Sequence, residues 1–190
     1  RLILDEEELP KNIFDLNVVI LFKKDNIYPR SSFPLFGIND NLYQTFEDRP
    51  NLITKREIRI QILADLELPE FGTLLDIGAG SGTIGLEALR IRPKIKLTCI
   101  DKRFGSQALI KENAKRLGVI PKKVIEGDVM NYINNEIIDT ISNSNRIVIG
   151  GCNLQTKLLV IQTLTRFLKK DDIIILPIIT YEVLQQVISK

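Results

Sequence analysis

Apolar runs alternate with helix-like stretches from residue 73 onward, and this alternation limits the possible folds more than any other feature. The pattern predicts strands over 73–77, 95–100, 122–125, 146–149 and 172–177. It predicts helices over 83–91, 104–117, 129–141 and 154–169, and a last one from Tyr181. Runs such as 147–149 are apolar on both faces, which is typical of parallel strands covered by helices. We therefore expect an α/β fold with a doubly wound, mostly parallel sheet and a ligand site at the carboxyl ends of its strands.

The composition excludes several classes of function. Lys and Arg number 26 against 24 Asp and Glu, and a net charge of +2 is too balanced for a protein that mainly grips nucleic acid. The chain has no histidine, which excludes histidine-activated nucleophiles and histidine-ligated zinc. Cys99 and Cys152 form no metal-binding pattern and suit a reducing compartment. No apolar run reaches the roughly 18 residues of a membrane span. We expect a cytoplasmic protein with no metal, no nucleic-acid partner and no membrane segment.

A capping-box pattern precedes the first predicted strand. Thr54 is followed three residues later by Glu57, and Ile58, Ile62 and Leu66 then recur at helical spacing. The pattern predicts a helix with Thr54 as its N-cap.

A glycine-rich turn, DIGAGSG over residues 76–82, follows the first predicted strand and leads into a helix. Glycines let the backbone turn tightly and approach a ligand closely, and a helix N-terminus offers free N–H groups to a polar ligand. The placement of this turn between a strand and a helix predicts a nucleotide-type ligand.

Two glycine registers compete for that ligand. Gly80, Gly82 and Gly85 match the dinucleotide fingerprint, with Asp101 about twenty residues further on. That register requires the strand to continue to Ala79. If the strand ends near Asp76, the glycines to count are those at 78, 80 and 82, and the form D-x-G-x-G-x-G resembles the first motif of class I S-adenosylmethionine (SAM) methyltransferases. The second register is favoured.

The residues after the next strands add to the predicted site. Asp101 ends the second strand, where a carboxylate can accept the hydroxyls of a ribose. Asp128 and Val129 follow the third strand, at the position that contacts adenine in the methyltransferase pattern. Gly150 and Gly151 follow the fourth strand, where amino-directed methyltransferases usually carry an Asn/Asp-Pro-Pro-aromatic motif. A Gly-Gly pair predicts open space beside the methyl donor, suited to a bulky substrate attacked at carbon.

With these motifs, the chain resembles the decarboxylating precorrin-6 methyltransferases of cobalamin biosynthesis. The resemblance covers about residues 37–188 and rests on 37–43 (GINDNLY), 52–59 (LITKREIR), 74–82 (LLDIGAGSG), 126–128 and 149–151. It implies a Rossmann-like class I SAM-dependent methyltransferase that methylates carbon 15 of a corrin precursor and removes carbon dioxide from the ring C acetate.

The resemblance also implies roles for particular residues. The cofactor SAM would contact Thr54, Asp76, Gly78, Ala79, Gly80, Ser81, Gly82, Asp101, Asp128 and Val129. The tetrapyrrole substrate carries many carboxylates, and the candidates that line or anchor it are Lys55, Arg56, Arg59, Gly150 and Gly151. The resemblance further implies a homo-oligomer, such as a tetramer. No residue is assigned to the decarboxylation.

Two departures from the family and one N-terminal likeness complete the prediction. The stretch after Gly150 differs from the family's glycine-serine-glycine-glycine, and the chain stops where the family has two more strands, so we expect a sheet without its last antiparallel strands.

Residues 14–21 are similar to the end of a carbon-5 methyltransferase domain, which predicts a domain tail and linker over 1–36 and the methyltransferase domain over 37–190. A NAD(P)-dependent oxidoreductase and a catalytically inactive binding module stay open as alternatives.

Overall fold

Five parallel strands form the central sheet of the computed structural model, which describes residues 33–132, 146–178 and 181–188. The strands are β1 (Gly72–Ile77), β2 (Ile95–Asp101), β3 (Lys123–Glu126), β4 (Arg146–Ile149) and β5 (Ile173–Ile175). Their order in the sheet is β3-β2-β1-β4-β5, and every neighbouring pair is parallel. This confirms the predicted fold class.

Helices connect the strands and cover both faces of the sheet. They are α1 (Arg56–Asp65), α2 (Thr83–Ile91), α3 (Ser106–Leu117), α4 (Val129–Tyr132), α5 (Leu154–Leu164) and α6 (Tyr181–Ile188), and a single 3₁₀ turn spans Asp40–Leu42. Among the helices of the described ranges, none combines the length and the apolar character needed to cross a membrane.

The central strand β1 is buried on both faces. Leu74 packs into one apolar cluster together with residues of α1, α2 and α3, while its neighbour Leu75 packs into a second cluster with residues of α5. Both side chains are fully buried. Two consecutive residues that face opposite layers explain why the strand sequences show no polar alternation.

The predicted element boundaries are exact or differ by one or two residues, apart from the end of the helix predicted over 154–169. The predicted helix over 104–117 begins at Ser106, because Gly105 before it has a positive φ of 82°. The helix over 154–169 ends earlier, at Leu164. The helix over 129–141 is described only as far as Tyr132, and its remainder lies outside the described residues, as do residues 1–32.

The predicted capping box before α1 is wrong. The helix begins at Arg56, its N-cap is the extended residue Lys55, and no side chain caps its first turn. Thr54 instead presents its backbone carbonyl to Nη1 of Arg59. The segment before α1 is therefore held by a longer-range guanidinium contact in place of a local hydroxyl cap.

A buried ion pair between Arg59 on α1 and Glu87 on α2 organises the N-terminal segment of the described chain. Arg59 Nε lies 2.9 Å from Glu87 Oε1, and both side chains are fully buried. Glu87 also accepts hydrogen bonds from the Tyr43 hydroxyl at 2.7 Å and the Gly37 amide at 2.5 Å. Arg59 Nη1 additionally lies 2.6 Å from Asp40 Oδ1. One carboxylate thus fastens three separate parts of residues 37–59 to α2.

The charge of Arg59 is maintained despite its burial. Burial alone would lower its pKa, but the carboxylates of Asp40 and Glu87 outweigh this effect, so that the pKa of Arg59 lies above its ordinary value. A fully buried cation with two carboxylate partners requires both partners, because removing one leaves an uncompensated charge.

We predict that Glu87→Gln lowers the free energy of unfolding by about 3 kcal/mol, because the buried guanidinium loses a counter-charge while the side-chain shape is kept. The measurement is urea unfolding followed by circular dichroism. The matched control is Glu70→Gln, which breaks the Glu70–Lys94 pair, whose side chains are 66% and 59% exposed. We expect the control to cost less than about 1 kcal/mol. Equal small losses in both variants would contradict a central role for the buried pair.

Candidate functional site

The order of the strands creates a crevice at the carboxyl end of β1. From β1 the chain adds β2 and β3 on one side, and it then crosses to the other side of β1 to form β4. The connections after β1 and β4 therefore leave the sheet in opposite directions. Such a switch point is where open α/β sheets bind their ligands.

The glycine loop leaves β1 at this switch point. The strand ends at Ile77, and Gly78, Gly80 and Gly82 follow with φ angles of +69°, +58° and +79°. These left-handed conformations favour glycine at all three positions. Because the strand does not continue to Ala79, the dinucleotide register is wrong and the D-x-G-x-G-x-G register is confirmed.

Gly78 allows two loops to pass closely. A Cβ added to Gly78 would lie 2.6 Å from the backbone nitrogen of Gly151. Gly150 donates its amide to the carbonyl of Ile77 at 2.7 Å, and Gly151 donates to the carbonyl of Gly78 at 3.2 Å. The Gly-Gly pair thus has a packing function that the sequence alone did not reveal, since a Cβ on either glycine would press on the Gly78 carbonyl.

Gly80 differs from Gly78 because its surroundings are open. A Cβ added there would meet no atom within 4 Å among the described residues. The Gly80 amide donates to Asp101 Oδ2 at 2.7 Å, which holds the middle of the loop against the end of β2. The loop therefore presents open backbone beside a carboxylate.

Asp101 connects the loops that follow three strands. Its carboxylate accepts the amides of Gly80 after β1 and, at 2.8 Å, of Arg103 after β2. Its backbone carbonyl accepts the amide of Gly127 after β3, also at 2.8 Å. A carboxylate has about four acceptor positions, so these two amides leave capacity for ligand hydroxyls. The structure brings the predicted residues of the first two loops together here.

Asp76 lies behind the glycine loop, closed off from solvent. It is 1% exposed, and its Oδ2 accepts the amide of Gly85 in α2 at 3.1 Å. Burial raises the pKa of Asp76 to about 7, the Gly85 hydrogen bond opposes that rise, and the nearby Asp101 charge adds to it. Such a position braces the loop against α2, and the structure does not support direct contact of Asp76 with a ligand on the open side.

Gly85 was not among the predicted site residues, although the close packing of α2 depends on it. A Cβ at this position would lie 2.7 Å from Leu97 Cδ1 on β2 and 3.0 Å from Asp76 Oδ2. The spacing of Gly85 after Gly80 and Gly82 was the sequence signal for this role. The third glycine of a nucleotide-binding turn often permits close contact between helix and sheet.

Ser81 connects the glycine loop, which also contains Ala79, to Asn113 on α3. Ser81 is buried, and its carbonyl accepts Nδ2 of Asn113 on α3 at 3.0 Å. The same amide group of Asn113 also binds the carbonyl of Gln44, and its oxygen accepts the Gln44 amide at 2.8 Å. Asn113 therefore joins the loop to the N-terminal segment, a contact that no sequence pattern indicates because the partners are 32 and 69 residues apart.

The loop after β3 carries the predicted adenine-side residues. Asp128 Oδ1 accepts the amide of Met130 at 3.0 Å at the start of α4, and the side chain of Val129 is buried. Gly127 packs beneath Tyr132, whose Cε2 would lie 2.7 Å from a Cβ on Gly127. Because Gly127 is bonded to Asp101, Asp128 and Val129 belong to the same edge of the sheet as the glycine loop.

The three predicted substrate anchors near α1 have different environments. Lys55 is exposed and lies 4.0 Å from Asp40, and Arg56 is exposed while its Nε donates to the Gly37 carbonyl at 2.6 Å. Arg59 is fully buried in the ion-pair network with Glu87. The prediction of a substrate anchor at Arg59 is therefore wrong, because its guanidinium is already used inside the protein.

Cys152 lies at the edge of the crevice, whereas Cys99 is a core residue. Burial raises the pKa of the Cys152 thiol, the Lys157 ammonium opposes the rise, and the Asp101 and Asp128 charges add to it. The Cys152 thiol is therefore a weaker acid than a free cysteine.

A groove of about 580 Å³ lies elsewhere, along the end of α3 and the beginning of β3. Its lining includes Lys111, Lys115 and Lys122. It is at the amino end of the strands, away from the glycine loop, and it contains none of the predicted site residues.

A parallel sheet of this order, with a glycine loop after β1 and an acid at the end of β2, is shared by nucleotide-binding α/β folds. Its likeness to solved methyltransferases makes it a class I SAM-dependent methyltransferase fold. Residues 44–190 match a family model that is described as a precorrin methyltransferase domain. The chain belongs to this precorrin methyltransferase family, as the sequence predicted, and the methyl donor of the family is SAM.

Individual relatives agree with this assignment. The "Probable cobalt-precorrin-6B C(15)-methyltransferase (decarboxylating)" of Pyrobaculum aerophilum is 34% identical over 151 residues, covering 78% of this chain and 73% of that protein. The cobalt-precorrin-6B C(15)-methyltransferase (decarboxylating) of Salmonella typhimurium is 30% identical over 91 residues, covering 48% and 46%. The solved precorrin-6Y C5,15-methyltransferase of Geobacter metallireducens superimposes with a TM-score of 0.69 at 26% identity, covering 83% of this chain and 79% of that one.

The residues at the switch point fit a nucleoside ligand such as SAM. Gly80 leaves open space where its Cβ would be, and the Asp101 carboxylate beside it has acceptor capacity for ribose hydroxyls. Backbone amides in left-handed turns can approach a ligand without side-chain interference.

A comparison of Gly80 with Gly118 separates contact with the ligand from backbone strain. Gly80 and Gly118, which follows α3, have φ angles of +58° and +67°, and a Cβ on either meets no atom within 4 Å among the described residues. We predict that Gly80→Ala and Gly118→Ala each cost about 1–2 kcal/mol of stability. Only Gly80→Ala should weaken S-adenosylhomocysteine binding, by about tenfold or roughly 1.4 kcal/mol, in calorimetric titration. Equal affinities in the two variants would show that Gly80 does not face the cofactor.

Proposed function

We propose that this chain methylates carbon 15 of a corrin precursor and removes carbon dioxide from the same substrate. The convergence of the loops after β1, β2 and β3 on Asp101 is the observation that carries the proposal, because it builds a nucleoside site at the switch point. The family assignment and the names of the relatives support the choice of substrate and of the methylated carbon.

The cofactor would be held by the loops at the carboxyl edge. Asp101 would accept the ribose hydroxyls, and Asp128 with the Val129 amide would contact the adenine. The backbone of the glycine loop would approach the cofactor closely at Gly78, Ala79, Gly80, Ser81 and Gly82. Thr54 would contact the cofactor from the segment before α1. Asp76 would support these residues from below the loop, where it bonds to Gly85.

The methyl-transfer step itself asks for little acid–base equipment, which suits a chain without histidine. SAM supplies an electrophilic methyl group on a sulfonium, and the electron-rich ring carbon is the nucleophile. The contribution of the protein is then to orient the two reactants and to exclude water from between them. Gly150 and Gly151 contribute by leaving no side chain beside the glycine loop.

Substrate carboxylates would be bound by cations around the crevice. Lys55 and Arg56 are exposed on the segment before α1 and are the candidates that remain after Arg59 is excluded. Arg56 also bonds to the Gly37 carbonyl, so Lys55 is the cleaner position to test.

The cofactor half of the proposal is tested at Asp101. We predict that Asp101→Ala weakens S-adenosylhomocysteine binding by about 1.5–3 kcal/mol, roughly 10–150-fold, because the ribose hydroxyls lose a charged acceptor. Calorimetric titration measures the affinity, with exposed Glu112→Ala on α3 as the control that should bind normally. Wild-type protein should not bind NAD. Tighter binding of NAD than of S-adenosylhomocysteine would overturn the methyltransferase proposal and favour the oxidoreductase alternative.

The substrate half is tested by turnover. Cobalt-precorrin-6B and methyl-labelled SAM are incubated with the protein, and label in the corrin and released carbon dioxide are measured. We predict that Lys55→Glu raises KM for the corrin by about tenfold or more, because a charge-assisted contact becomes repulsive, and leaves the affinity for S-adenosylhomocysteine unchanged. Exposed Lys115→Glu on α3 is the matched control. Cofactor binding without any turnover would favour the inactive binding module, and an unchanged KM in Lys55→Glu would remove Lys55 from the site.

Three further parts of the prediction accompany this proposal. The domain boundary near residue 36, a homo-oligomeric assembly and a cytoplasmic location come from the resemblance and the composition. Gel filtration with light scattering tests the assembly directly, and a monomer would contradict it.

A further inference from the structure

Lys157 is a buried lysine that none of the roles above uses. It lies in the first turn of α5, which begins directly after the loop at the end of β4, and only 6% of the residue is exposed. Because this helix follows the carboxyl end of β4, its first turn lies at the carboxyl edge of the sheet, where the crevice lies.

No carboxylate among the described side chains compensates the charge of Lys157. Nζ donates to the backbone carbonyl of Pro177, two residues after β5, at 2.9 Å. Among the side chains that the structure describes, no Asp or Glu forms an ion pair with Lys157. An ammonium group has three donors, and a single neutral carbonyl is a poor replacement for water and counter-charge.

The contrast with Arg59 shows how unusual this arrangement is. Arg59 is also buried, but two carboxylates compensate its charge. At Lys157, burial lowers the pKa, and the neighbouring Cys152 is the titratable group that opposes the decrease. A buried cation of this kind is most stable when an anion reaches it.

The position of Lys157 relative to the crevice follows from Cys152. Lys157 follows Cys152 by five residues, and its Nζ bonds to the Pro177 carbonyl after β5. Cys152 directly follows Gly151, which is bonded to the glycine loop. Lys157 therefore lies on the β4–β5 side of the carboxyl edge.

We propose that the Lys157 ammonium binds a carboxylate of the substrate at the β4–β5 side of the crevice. The inference rests on the proposed function, since a corrin precursor is the polycarboxylate ligand in question. Lys157 would then make the site prefer the free acid over an ester or amide of the same ring, because only the acid supplies a counter-charge.

The experiment uses a corrin acid and its ester as probes. Cobyrinic acid and its methyl ester are titrated calorimetrically into the wild-type chain in the presence of S-adenosylhomocysteine. Three variants are compared: Lys157→Gln, which keeps a donor for the Pro177 carbonyl without the charge, Lys157→Arg, which keeps the charge, and exposed Lys115→Gln as the control. Thermal unfolding and S-adenosylhomocysteine affinity report whether each variant is folded.

We expect Lys157→Gln to bind cobyrinic acid about tenfold more weakly, with its affinity for the ester and for S-adenosylhomocysteine unchanged. Lys157→Arg should retain most of the preference for the acid. Equal affinity of wild type and Lys157→Gln for the acid would overturn the inference while the proposed function stands. Binding of neither probe by the wild type would overturn both. Loss of folding or of S-adenosylhomocysteine binding in Lys157→Gln would assign Lys157 a structural role and also overturn the inference.

Discussion

The close approach of two backbones at the switch point is the constraint on which the rest of the site depends. Gly78 and Gly151 pass so near each other that a Cβ on Gly78 would stand 2.6 Å from the Gly151 nitrogen. This contact joins the end of β1 to the end of β4 although the chain visits β2 and β3 between them. Side chains larger than glycine at these positions would force the two loops apart.

Two polar clusters then fix the parts that surround the crevice. Asp101 holds the loops after β1, β2 and β3 through backbone amides. Glu87 holds the segment before α1 through Arg59, Tyr43 and Gly37. Both clusters use a carboxylate with several donors, which costs less than an unpaired buried charge and specifies one geometry. The exposed Lys55 and Arg56 owe their position to the second cluster, because they stand next to residues that it fastens.

The sequence predicted those features that depend on local pattern. Strand–helix alternation predicted the sheet, and the D-x-G-x-G-x-G spacing predicted the loop, because turn chemistry and apolar periodicity are local properties. The capping box at Thr54 and the substrate role of Arg59 failed for a different reason. Both depend on a partner far along the chain, Glu87, whose carboxylate recruits Arg59 into the core and thereby changes how the helix begins. The contacts of Asn113 were equally inaccessible to pattern analysis.

The distribution of charge around the crevice suits two ligands of opposite sign. Asp101 ends β2 and Asp128 lies in the loop after β3, and carboxylates there favour a cationic ligand such as a sulfonium. Cations stand on the other parts of the edge, with Lys157 after β4 and Lys55 before α1. A polycarboxylate placed among them would be kept from the acids by repulsion, so each ligand has one favourable orientation. Charge separation of this kind would orient the two reactants for methyl transfer.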